Sequence, residues 1–149
     1  MSTRGLYGFI EDGEYTATYK HSDSYPSGLG LDFWIACRDG HLLGYGMFDN
    51  GSENSIDFIK DSLFCEWAYF YDIDNKIFEI WKGFQREPDP TNPFGQEKSD
   101  NAYYPCKRIY RGKINSLSEK VFVDRNEFDS FIVSYNRDMQ INKIIEKWN

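Results

Sequence analysis

Histidine and cysteine are scarce in this 149-residue chain: only His21 and His41, and only Cys37, Cys65 and Cys106. No His-x-x-x-His or Cys-x-x-Cys spacing arises from so few, so the sequence offers no metal site and calls for no cofactor. Three cysteines are an odd number and no disulfide framework, which reads as reduced thiols in a cytoplasmic protein. Long apolar runs are missing too, being broken by Gly, Glu or Asp, which argues against a membrane span. The opening Met1-Ser2-Thr3-Arg4-Gly5 lacks the apolar stretch of a secretory signal. Positive charge is short: 17 Lys and Arg face 24 Asp and Glu, a formal net charge of −7. That balance speaks against a nucleic-acid-binding face. The deficit lies in residues 1–100, with 8 basic against 18 acidic residues, whereas residues 101–149 carry 9 against 6. With no run of five like charges, the acidic surface reads as ordinary solvated surface; a face for a basic protein partner is the alternative.

Aromatic rings, by contrast, are plentiful. Twelve Phe, 11 Tyr and 4 Trp make up 18% of the chain, which excludes a disordered tail. The length suits one domain, residues 1–149, able to bury a core without a disulfide or metal. Residues 4–10 and 14–20 read as strands joined by a tight turn, because Asp12-Gly13 supplies the positive φ that a short hairpin needs. A polar loop full of breakers, residues 21–30, precedes a short helix over 31–38 closed by Asp39-Gly40. A second helix is expected from about Glu53 to Leu63. Residues 65–73 and 77–84 are aromatic and β-branched and form a second hairpin through Asp74-Asn75-Lys76. Residues 85–102, with Pro88, Pro90, Pro93 and Gly95, form a long exposed loop. A strand over 103–114 follows, with Pro105 suited only to an edge strand or to a strand's first residues. Asp124 and Glu127 form a capping box for a final helix. Its apolar stripe of Phe128, Ile132, Tyr135 and Met139 drifts through Ile141, Ile144 and Ile145 to Trp148, which allows a bend near Asn142. Two hairpins with helices give an α+β layered domain of antiparallel strands.

Several residue groups could carry chemistry. In the polar loop, Asp23 and Ser24 suit hydrogen bonds to backbone N–H groups that hold the turn. A helix starting near Gly28 would turn its free N–H groups toward this loop, where an anion is favoured. Arg4 opens the first strand beside a glycine that lets another group approach, and its guanidinium suits a carboxylate or phosphate through two parallel hydrogen bonds. Glu66 and Asp72, with Glu79 on the partner strand, fall on one face. That face reads as the wet side of a half-buried sheet, or else as a carboxylate group with one raised pKa.

Arg4-Gly5-Leu6-Tyr7-Gly8-Phe9 resembles the start of class II glutamine amidotransferase domains of the N-terminal-nucleophile (Ntn) hydrolase fold, which begin Cys-Gly-Ile-x-Gly. The loop His21 to Gly30 is similar to their His-Arg-Gly-Pro-Asp-x-x-Gly segment, and residues 66–83 resemble their later hairpin. The chain is also similar to an uncharacterised bacterial and phage protein group sharing the Thr-Arg-Gly start, the His-x-Asp-Ser-Tyr-Pro loop and the Glu-Trp-Ala-Tyr hairpin. The first resemblance implies Ntn-like αββα layers, with antiparallel sheets stacked between helices. It also implies a kept pocket that binds a small anionic or amide-bearing ligand between Arg4, His21, Asp23 and Ser24, with Asp23 orienting His21. The activity does not carry across. Arg4 stands where the family has its nucleophilic Cys, and an arginine cannot attack. Two alternatives remain: a small amidohydrolase using Ser2 or Thr3, and a phage-type protein-binding inhibitor whose loop 85–102 makes the contacts.

Overall fold

Both sequence-legible hairpins form, and their turns show why. In the computed structural model, which describes residues 2–41 and 54–148, Asp12 and Gly13 both take positive φ, at 52° and 80°. They join β1 (Gly5–Glu11) to β2 (Glu14–Lys20) in tight antiparallel register. Gly8 is required in this pair, since a Cβ there would fall on the Thr16 carbonyl oxygen. The second hairpin joins β3 (Trp67–Asp72) to β4 (Ile77–Lys82), its turn pinned by Asp72, whose carboxylate accepts from the backbone N–H of Asn75. β5 (Lys107–Lys113) completes a sheet of order β2-β1-β3-β4-β5, at whose edge it lies just after Pro105.

One pairing departs from the expected antiparallel pattern. β1 and β3 run parallel, so the sheet is mixed. The connection from β2 to β3 is long enough for a crossover and contains α1 (Leu31–Asp39), closed by Gly40 at φ 76°. A single π-helical turn, Pro26–Gly30, leads into α1. The helix expected over 53–63 shrinks to a 3₁₀ turn, Ile56–Lys60; Glu53 lies outside the described residues. The Asp61 side chain accepts from the N–H of Leu63, offering the backbone a partner outside the helix. After β5 come α2 (Glu119–Val123) and α3 (Arg125–Trp148), the latter one helix that continues through Asn142. Asp124 caps α3 through the N–H groups of Asn126 and Glu127, but Glu127 does not reach back; it pairs with Lys120 at 3.3 Å.

The fold is α+β with a core on each side of one sheet. On one face, Trp67, Tyr69, Phe78 and Ile80 meet Phe33 and Trp34 of α1, Phe122 of α2 and Phe128 of α3. On the other, Leu6, Ala68, Phe70 and Trp81 meet Ile59, Cys65 and Cys106. The loop 85–102 is mostly exposed, as expected, but Phe94 anchors it by packing edge-on against Tyr15 and Trp81. The second sheet implied by the amidotransferase resemblance does not occur among the described residues.

Candidate functional site

The corner where β1 begins is built by the polar loop folding back on it. The N–H of Ser24 donates to the Thr3 carbonyl at 3.1 Å, and the Tyr69 hydroxyl donates to the Ser24 carbonyl at 2.9 Å. Ser24 is fully buried, and Gly5 makes room for it: a Cβ at Gly5 would collide with the Ser24 side chain. The loop turns at Asp23 with φ 55°. Its amides are spent internally, Leu29 N–H on the Asp23 carbonyl and Gly28 N–H on that of Tyr25. Those two amides are therefore not free for the anion cradle expected from a helix start near Gly28.

Of the four residues singled out from the sequence, Ser24 is part of the corner's frame. Arg4 is half-buried, its guanidinium over the Phe64 ring at 5.2 Å. Its charge reaches Glu66: burial raises that carboxyl's pKa, and Arg4 works against the rise. His21 and Asp23 are exposed. The hydrogen bond of His21 Nδ1 goes to the Tyr19 hydroxyl at 3.0 Å, so the orienting partner is Tyr19 rather than Asp23. Among the described residues no hydrogen bond or ion pair links Arg4, His21 and Asp23 to one another, and no group of three or more His, Cys, Asp and Glu side chains could hold a metal ion.

The carboxylate face holds the larger surprise. Glu79 is not on a wet face but 1% exposed. Its Oε1 accepts from the Tyr15 hydroxyl at 2.7 Å and from Trp81 Nε1 at 2.9 Å; its Oε2 lies 3.4 Å from both Arg108 Nη1 and Arg111 Nε. Positions 108 and 111 differ by three, so a regular strand would send them to opposite faces. A β-bulge resolves this. Glu79 pairs with Arg111 and Ile80 with Tyr110, but Trp81 pairs with Arg108, leaving Ile109 as the extra residue. Both guanidinium groups thus reach one carboxylate. Burial, and then the Glu79 carboxylate, push the Tyr15 hydroxyl well above its ordinary range.

Beside this cluster opens a cleft of about 310 Å³ lined by Trp81, Asp89, Thr91, Asn92, Pro93 and Arg108. The Asn92 side chain is locked at both ends, donating to the Cys106 carbonyl at 2.8 Å and accepting from the Phe94 N–H at 2.9 Å. Sequence reasoning missed this site because the bulge and the Glu79 partners depend on pairing between distant segments. The one available signal was an acidic residue in the middle of an otherwise apolar strand.

Searches against protein-family models, curated proteins and solved structures found no match for this chain. No helix among the described residues is long and apolar enough to cross a membrane.

Proposed function

We propose that the domain binds a small anionic or amide-bearing ligand at the corner between the start of β1 and the 21–30 loop, without a catalytic nucleophile. The observation that carries this reading is Arg4. Its half-buried guanidinium lies over Phe64 and has no hydrogen-bond or ion-pair partner among the described residues. A guanidinium offers five donors in a fixed fork, and ring stacking limits the freedom it would lose on binding an oxyanion. In this reading Arg4 takes the anionic group. His21, steadied by Tyr19, turns its second ring nitrogen to the ligand. The exposed Asp23 accepts from an amide, and buried Ser24 holds the loop in shape.

Glutarate and its monoamide, glutaramate, are suitable probes because neither carries an ammonium group. Calorimetry should detect binding to the wild type. Arg4→Ala should weaken it roughly ten- to a hundredfold, the worth of a charge-assisted pair of hydrogen bonds. The melting temperature should fall by no more than about 4 °C, since only the stacking on Phe64 is lost. Equal affinity in the variant would end the reading. The amidohydrolase alternative draws on the hydrogen bond from Ser24 to Thr3, which ties the opening of the chain to the polar loop. Mass spectrometry that finds Met1 retained, or Ser2 acetylated, removes it, because no free α-amine is then left at Ser2 or Thr3 to act as base.

A further inference from the structure

We infer that the cleft beside Glu79 is a second binding site, for a small zwitterion of the α-amino-acid type, with its carboxylate on Arg108 and its ammonium on Asp89. Two opposite charges line this cleft, yet no ion pair joins them. Each is held by other contacts. Arg108 turns Nη1 to Glu79, meets the Tyr15 hydroxyl as well, and keeps its side chain 44% exposed, so part of its guanidinium is open to the cleft. Asp89 spends Oδ1 on the Thr91 backbone N–H at 3.0 Å and hydroxyl at 2.8 Å, while Oδ2 has no hydrogen bond among the described residues. The groups between them are fixed. Trp81 is pinned by Glu79, and Asn92 by Cys106 and Phe94, so the walls need no reordering on binding.

The cleft presents two poles and fits a ligand with two poles. Arg108 and Arg111 share the single Glu79 carboxylate, which leaves positive charge over on one side, and Asp89 stands as the negative group that also lines the cleft. Although burial works against ionisation, the Thr91 hydrogen bonds and the charges of Lys107 and Arg108 hold the Asp89 carboxyl below its ordinary value. An anion alone would meet Arg108 but face Asp89 unpaired. A cation alone would meet the reverse. A carboxylate and an ammonium on one small molecule satisfy both, and the volume suits a compact ligand rather than a nucleotide.

The test uses the whole protein and ligand-observed NMR, with each common L-α-amino acid in turn. Propionate and ethylamine serve as the two halves. At least one amino acid should bind at millimolar concentration or below, with both halves more than about tenfold weaker. Asp89→Asn, which keeps the acceptor for Thr91, should weaken the amino acid about tenfold or more, as should Arg108→Gln. Every measurement is made in the Arg4→Ala background, which removes the corner site, so the failure of either site is seen separately. Propionate binding as well as the amino acid, no amino acid binding at all, or an Asp89→Asn protein that binds like the wild type would each overturn the proposal. Should Arg108→Gln fail to fold, Asp89→Asn decides alone.

Discussion

A carboxylate as deep as that of Glu79 is tolerable only because three hydrogen-bond donors, Tyr15, Trp81 and Arg108, and a second cation, Arg111, meet it. Glu79→Gln keeps the shape and removes the charge, leaving two arginines without their shared anion. Removing one member of a buried ion cluster costs ~3–5 kcal/mol, and the half-exposure of both arginines reduces this to about 2–3 kcal/mol. Tyr15→Phe removes one hydrogen bond and should cost about 1–2 kcal/mol. Urea unfolding measures both, and a Glu79→Gln protein as stable as the wild type would show that the cluster contributes nothing net. None of this was readable from the sequence. Glu79 looked like a surface residue because alternation describes a face without saying what covers it, and here Phe94, from a distant loop, packs on Tyr15 and Trp81 beside it. Arg4 and Ser24 were easier to find, since a glycine next to a charged strand start and a breaker-rich loop are both local signals.

Elements set by local chemistry were legible: both hairpins, the Gly40 stop of α1 and the Asp124 cap of α3. Elements set by competition were not. The Asp61 side chain diverts the backbone that the apolar spacing suggested would stay helical. α3 shows the limit of a periodicity argument. Ile132 is packed against the core, but Ile141 lies nine residues on, about two and a half turns, and so faces the opposite side. The drift read from the sequence is a change of face along one continuous helix. Ile141, Ile144 and Ile145 are all roughly half exposed. Ending the chain after Arg137 should therefore leave the melting temperature within about 2 °C, because few packed side chains are lost. A larger drop in calorimetry would mean that the distal turns support the body. Asp124→Ala, in contrast, should cost about 1 kcal/mol by freeing two N–H groups at the other end of the same helix.

The molecule as a whole is built to resist acid less conspicuously than to fail in base. Burial raises the pKa values of Cys37, Cys106, Tyr15, Tyr69 and Tyr110 above their ordinary 9.0 and 10.0. For an acid whose folded pKa is raised, the folded state holds the proton longer than the unfolded chain does. Its contribution is complete below the unfolded value and is lost as pH climbs beyond it. Stability should thus decline from about pH 9 upward, and the share of tyrosinate absorbance that belongs to Tyr15, Tyr69 and Tyr110 should appear only with unfolding. Full tyrosinate absorbance with the fold intact would refute this. The bulge at Ile109 carries a different consequence. The two cations of β5 share a side because the strand is one residue longer than its partner needs. Deleting Ile109 would leave the two arginines two positions apart on an even ladder, still on the side of Glu79, so it is their spacing of three in this chain that demands the extra residue.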